Sequence, residues 1–253
     1  MAVFSGTIRS EALDMDTGIT VVLPYDRPTE AQQNPCKVLY LFHGLGNNSG
    51  SWMRNSNVAR YARDAGLAVV MPEVQRGFYT DMAMGLKYFT YTAYELPRLC
   101  EEMFRISPRR EDTFVAGLSM GGYGAVKTAM SRPDKFSACA SFSGVLDLNY
   151  VLNHEMAVRE EGQIRALLGN DKTISPENDN YALGRAAARL PRDMQPRFLL
   201  TCGEQDYLRD VNLEYQGFLR DNGFDITYME WQGGHDWDFW DRSVKIAIDY
   251  FLD

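Results

Sequence analysis

The chain has 253 residues, a length at which α/β proteins commonly form a single domain. Lys and Arg number 26 against 34 Asp and Glu, a formal charge of -8. The acidic residues are scattered rather than gathered in a tail, which disfavours nucleic acid and anionic membrane as partners. The N-terminal MAVFSGTIRS lacks a basic stretch followed by an apolar run, and no segment reaches about 18 uninterrupted apolar residues, so a soluble, cytoplasmic protein is expected.

In chain order, GITVVLP (18–24) and CKVLYLF (36–42) read as strands, followed by a helix over 52–65 (WMRNSNVARYARDA) and the strand LAVVMP (67–72). A helix over 94–104 (YELPRLCEEMF) leads to the strand DTFVAG (112–117), a helix over 122–131 and the strand FSACASFSG (136–144). After residue 191 come the strand RFLLTCG (197–203), a helix over 212–221, the strand DITYMEW (225–231) and a helix over 241–251. Strands alternating with helices imply a mostly parallel twisted sheet with helices on both faces. Residues 148–191 break the rhythm, with helical pieces (HEMAVREEGQIRALL, YALGRAAARL) and no strand, and are expected to form a cap inserted into a single domain spanning 1–253. Cys36, Cys100, Cys139 and Cys202 fall one per element, with no C-x-x-C spacing and no nearby histidine, and read as small buried hydrophobes.

In an open parallel sheet, chemistry collects beyond the carboxyl ends of the strands. GLSMGG (117–122) directly follows such a strand and has the Gly-x-Ser-x-Gly spacing of a strand-to-helix turn that lifts a serine clear of the backbone. A serine hydroxyl needs a base, and histidine suits that work near neutrality. Of the three histidines, His43 precedes the serine in the chain and His154 lies in the excursion, whereas His235 sits in QGGHDWDFW, just past the last strand. The order Ser, acid, His therefore selects Ser119 and His235. Asp206 in CGEQDYL is the preferred acid, with Asp147 as runner-up and Glu204 requiring another loop geometry; Asp236 and Asp238 suit solvation of the loop or capping of the next helix. A developing oxyanion needs preset donors. The Met120 N–H supplies one, and the glycines of HGLG turn the Leu45 N–H toward the site, leaving His43 a packing and hydrogen-bonding role.

Together, LFHGLGNNSGSW, GLSMGGYGA, CGEQDYL and GGHDWDFW resemble the esterase D-like group of α/β-hydrolases, and within it the bacterial tributyrin esterases, which are small cytoplasmic carboxylesterases. The resemblance runs from GITVVLP to the last helix. It implies a triad of Ser119, Asp206 and His235, oxyanion donors at Leu45 and Met120, and a small-molecule ester as substrate, with no cofactor or metal; a homo-oligomer is left open. The excursion over 148–191 cannot be matched residue by residue.

Aromatic residues on the loops at this edge are expected to line an apolar acyl pocket, with Trp52, Tyr79 and Trp237 as substrate-binding residues beside Phe78, Met120 and Phe239. Arg54 is the one cation adjoining the motifs, so no clamp for a glutathione carboxylate is evident. The leading expectation is hydrolysis of short-chain acyl esters through an acyl-serine. Its alternatives are an S-formylglutathione hydrolase, an acetyl or feruloyl esterase acting on carbohydrate esters, and a hydrolase fold kept only for binding, against which the intact serine, acid and histidine argue.

Overall fold

The structure, a computed structural model, describes residues 1–25, 35–153 and 161–253. Eight strands, β1 (Ala2–Ser10), β2 (Met15–Leu23), β3 (Val38–Phe42), β4 (Ala68–Pro72), β5 (Thr113–Leu118), β6 (Ala138–Phe142), β7 (Arg197–Gly203) and β8 (Ile226–Trp231), form one sheet in the order β1-β2-β4-β3-β5-β6-β7-β8. β1 and β2 are antiparallel to each other, as are β2 and β4, and every pairing from β4 through β3 to β8 is parallel. The seven predicted strands are all present. The N-terminal strand β1 is additional: it pairs only with β2 and most of its side chains are exposed, so it carries little of the apolar pattern that marks a buried strand.

Nine helices along the described chain matter here: α1 (Ser51–Asn55), α2 (Val58–Ala65), α3 (Leu96–Met103), α4 (Met120–Ser131), α5 (Leu148–Asn153), α6 (Glu161–Leu168), α7 (Asn180–Ala187), α8 (Arg209–Asp221) and α9 (Trp237–Leu252). Side chains alternate across the buried strands. Val38, Tyr40 and Phe42 of β3 join one core with α3, α4 and α8, while Leu39 and Leu41 join a second with α2 and α9.

The predicted helix over 52–65 is divided into α1 and α2. Ser56 is extended and its hydroxyl bonds back to the Trp52 carbonyl at 2.6 Å, while the Asn57 N–H is drawn to Asp241 of α9 at 2.6 Å. Local polar competition thus ends one helix and a tertiary contact starts the next. The helix expected at 94–104 begins earlier, at Tyr88, and passes through a π turn (Tyr91–Glu95) before α3. That turn directs the buried Glu95 carboxylate to the β1–β2 connection, where it accepts from the Ser10 hydroxyl at 2.5 Å and the Glu11 N–H at 2.7 Å.

The excursion holds α5, α6, α7 and no strand among its described residues. His154 and the first part of HEMAVREEGQIRALL lie outside the described residues. Leu148, Val151, Leu167, Leu168 and Ala187 bury their side chains in the same core as α4. Polar ties reinforce the contact: Tyr123 of α4 donates to the Asn178 carbonyl at 2.8 Å, and the buried Lys127 ammonium bonds the Asn178 amide oxygen beneath the Phe89 ring. All four cysteines are buried. Among the described residues, no helix is long and apolar enough to cross a membrane.

Burial lowers the Lys127 pKa to about 7, opposed in part by Asp81 and Glu177. Between that value and the unfolded lysine's, at about 10.4, the unfolded chain binds the extra proton at this site, so the contribution of Lys127 to stability rises with pH across the window. The buried thiols of Cys100, Cys139 and Cys202 act in the opposite sense, because burial raises their pKa values above that of an unfolded thiol. In denaturant unfolding from pH 7 to 10, the stability of the wild type relative to Lys127→Met is therefore expected to rise by up to about 1.4 kcal/mol per pH unit, the thiols being common to both.

Candidate active site

β5 ends at Leu118 and α4 begins at Met120, so the entire reversal falls on Ser119, with φ 54° and ψ -117°. A non-glycine residue at positive φ is strained, and such residues persist where the surroundings fix them. Here the Ser119 N–H donates to the Phe142 carbonyl at 2.9 Å, and its own carbonyl accepts from Gly122 and Val145 at 3.0 and 3.1 Å. Glycines clear the space around it: a Cβ on Gly117 would lie 2.3 Å from the Gly121 carbonyl oxygen, and one on Gly121 would lie 2.6 Å from that of Phe42.

Ser119 Oγ lies 3.0 Å from His235 Nε2, and His235 Nδ1 lies 3.0 and 3.2 Å from the two oxygens of Asp206. The structure thus brings together the three residues selected from the sequence, each just beyond the carboxyl end of a strand. Asp147, the alternative acid, instead accepts from its neighbour Asn149 at the start of α5. Asp236 caps α9 by accepting from the Phe239 N–H at 3.0 Å.

Burial alone would raise the Asp206 carboxyl, but the His235 imidazole, the Ser143 hydroxyl and the Leu208 N–H together hold it below the usual carboxylate range. The Ser143 oxygen in turn accepts from the Trp240 indole N–H at 3.3 Å. Ser143 follows β6 with φ 49°, a second sharp strand exit beside that of Ser119. The His235 ring lies between Tyr207 and Trp240, with centroids at 4.7 and 4.9 Å. Neither Ser143 nor Tyr207 was legible from motif spacing, although Tyr207 directly follows the chosen acid.

A cavity of about 210 Å³ opens beside Ser119. Gly44, Leu45 and Asn47 border it from the loop after β3, Leu118 and Met120 from the serine turn, and Val145 from the segment after β6. Phe78, Tyr150, Tyr207, Leu208, His235 and Trp240 complete it. Neither the Leu45 nor the Met120 N–H forms a hydrogen bond among the described residues. His43 is buried under this loop, its Nδ1 2.8 Å from the Gly44 carbonyl and its Nε2 accepting from the Val74 N–H at 3.2 Å.

The three residues expected to bind substrate lie elsewhere, which corrects that expectation. Trp52 is fully buried in the second core, where its indole N–H donates to the Phe42 carbonyl at 3.1 Å and its ring meets Trp237 edge-on at 5.1 Å. Trp237 is thereby held on the α9 side with Trp52 and Trp240. Tyr79 is fully buried, stacked on Phe42 at 4.3 Å with its hydroxyl on the His43 carbonyl at 2.9 Å. Phe239 stacks on Trp231 instead of facing the cavity. Aromatic rings beside the motifs were the right signal for this edge, but apolar rings fold into the nearest core unless a cavity is kept open. Phe78 and Met120 are the two expected lining residues that do reach it.

A serine, a histidine and a buried carboxylate in hydrogen-bonded series, at the carboxyl edge of a sheet with this strand order, define a serine hydrolase of the α/β-hydrolase fold. The chain belongs to the esterase family described as "Putative esterase", whose model matches residues 10–247. The chain is therefore a carboxylic ester hydrolase of the esterase D-like group. An acetyl esterase of Caldicellulosiruptor saccharolyticus is 28% identical over 267 residues, covering 99% of this chain and 98% of that protein. The substrate-bound structure of FphF, a fluorophosphonate-binding serine hydrolase of Staphylococcus aureus, aligns with a TM-score of 0.90 at 32% identity, over 100% of this chain and 98% of that one. The S-formylglutathione hydrolase FrmB of the same organism aligns with a TM-score of 0.87 at 32% identity, over 100% and 99%.

The glycine contacts give a test of the turn. Gly121→Ala is expected to cost more than about 2 kcal/mol of stability, because the clash is with backbone that cannot move aside. Gly162→Ala in α6, where a Cβ meets nothing within 4 Å, should instead gain up to about 1 kcal/mol in the same unfolding assay.

Proposed function

We propose that the chain is one α/β-hydrolase domain, with 148–191 as its cap, that hydrolyses short-chain acyl esters using Ser119, His235 and Asp206. The observation that carries this reading is the unbroken series of contacts at 3.0 Å from Ser119 Oγ through His235 to Asp206, opening on a small apolar cavity. Ser119 Oγ attacks the ester carbonyl carbon and its proton passes to His235 Nε2. The bond to the alcohol oxygen then breaks, with His235 returning the proton to that oxygen. Water repeats the sequence on the acyl-serine, giving its proton to His235 and releasing the acid as Ser119 recovers its own. Asp206 holds the imidazole tautomer with Nδ1–H and stabilises the imidazolium. The unpaired N–H groups of Leu45 and Met120 take the oxyanion.

The cavity, at about 210 Å³, falls below the roughly 300 to 1,000 Å³ of drug-sized pockets, which favours a short acyl group. Among the described residues no Arg or Lys borders it, so the carboxylates of a glutathione thioester find no partner among them.

Ser119→Ala is expected to abolish turnover of nitrophenyl butyrate, a loss on the order of a millionfold in kcat, while unfolding is unchanged. Activity within tenfold of wild type would refute the assignment. Asp206→Asn should lower kcat by up to about ten-thousandfold, and Asp147→Asn by far less. Comparison of kcat/KM for butyryl esters and S-formylglutathione is expected to favour the esters; the reverse would assign the chain to the thioester substrate.

A further inference from the structure

We infer that Phe78 sets the acyl chain length accepted at Ser119, an inference that rests on the esterase reading above. The cavity has two unlike sides. Leu45, Asn47, Tyr150 and Tyr207 border its open side, and Tyr207 is 46% exposed. Phe78, Leu118, Met120 and Val145 form the inner side, none more than 4% exposed. In a two-step ester hydrolysis the alcohol departs to water while the acyl group stays covalently on the serine. The apolar inner side is suited to the group that stays, because it is there that methylenes leave water.

Two of the four inner residues belong to the serine turn itself and a third is bonded to it. Leu118 ends β5, Met120 opens α4, and Val145 donates its N–H to the Ser119 carbonyl at 3.1 Å. Phe78 comes from a separate loop between β4 and α3, so its size can change without altering the turn. The loop does not leave Phe78 to chance. Phe78 and Tyr79 both have left-handed backbone, φ 51° and 53°, a costly state for two successive aromatic residues.

Three contacts impose it. The Tyr79 ring stacks on Phe42, its hydroxyl binds the His43 carbonyl, and it lies where a Cβ on Gly124 would come within 2.4 Å. Gly77 lets Tyr88 close over the loop, since a Cβ there would lie 2.1 Å from the Tyr88 ring. With Tyr79 fixed against the base of the oxyanion loop, the preceding residue is turned inward. The Phe78 ring then rests edge-on against Tyr123 at 6.3 Å and closes the cavity. Tyr79, expected from sequence to touch substrate, thus acts through its neighbour as a positioning residue.

The test measures kcat/KM for nitrophenyl esters from acetyl to dodecanoyl with wild type, Phe78→Ala, Phe78→Leu and Tyr207→Ala, each titrated with a fluorophosphonate probe to count competent sites. Each newly buried methylene is worth about a fourfold gain, so Phe78→Ala is expected to raise the octanoyl-to-butyryl ratio by at least about tenfold. Phe78→Leu should raise it less, and it decides the matter if the alanine variant does not fold. Tyr207→Ala should leave the acyl ratio in place and change the preference among alcohol groups. An unchanged ratio in probe-reactive Phe78 variants would overturn the inference alone, as would a Tyr207→Ala shift as large as that of Phe78→Ala. A wild type that neither turns over esters nor reacts with the probe would overturn the esterase reading as well.

Discussion

Close approach of backbone to backbone beneath Ser119 is the constraint from which the rest of the site follows. Gly117 and Gly121 face each other across the turn with no room for a Cβ, and Gly121 also meets the carbonyls of Phe42 and His43. The helix α4 can therefore start directly on top of β5 and against the end of β3. Ser119 has nowhere to go but outward, and the loop after β3 is brought beside it. Both N–H groups proposed to hold the oxyanion come from the two chain segments that meet at this contact.

A polar series is then threaded across the ends of neighbouring strands. Ser119 follows β5, Ser143 follows β6, Asp206 follows β7 and His235 follows β8, and the loop after β8 returns the imidazole across the sheet edge to the serine after β5. Indole N–H, hydroxyl, carboxylate, imidazole and serine hydroxyl succeed one another, and each polar group has a partner. A buried carboxylate without them would take up a proton and lose the charge that stabilises an imidazolium. Tyr207 and Trp240 bracket the imidazole, leaving its Nε2 edge directed at Ser119.

The excursion contributes differently. It is joined to α4 through shared core and through the carbonyl and amide of Asn178, and through Tyr150 of α5 it reaches the open side of the cavity. Burying the Lys127 ammonium at this junction is unfavourable for the charged form, and the amide oxygen of Asn178 and the face of Phe89 offset part of that cost. The same helix that presents Ser119 at its first turn thus holds the excursion at its later ones.

Much of this was legible in the sequence. Six strands, β2 to β7, showed as apolar runs because burial demands them, and the edge strand β8 showed by its β-branched and aromatic alternation, whereas β1, exposed at the opposite edge, did not. Ser119, Asp206 and His235 could be chosen because chain order and strand ends restrict where such groups can meet. The glycines around Ser119 marked their own turn. Pocket lining was another matter. Trp52, Tyr79 and Trp237 stand beside the motifs, as Phe78 does, yet three of the four turn away from the cavity. Which way an aromatic ring points depends on partners distant in sequence: the Phe42 carbonyl for Trp52, the Phe42 ring for Tyr79, the Trp52 ring for Trp237. Local pattern thus determined seven of the strands, the turn and the groups proposed to react, because each answers to backbone geometry and burial period. Only the tertiary structure decided the shape of the cavity, because a cavity is what remains after every neighbouring side chain has found its packing partner.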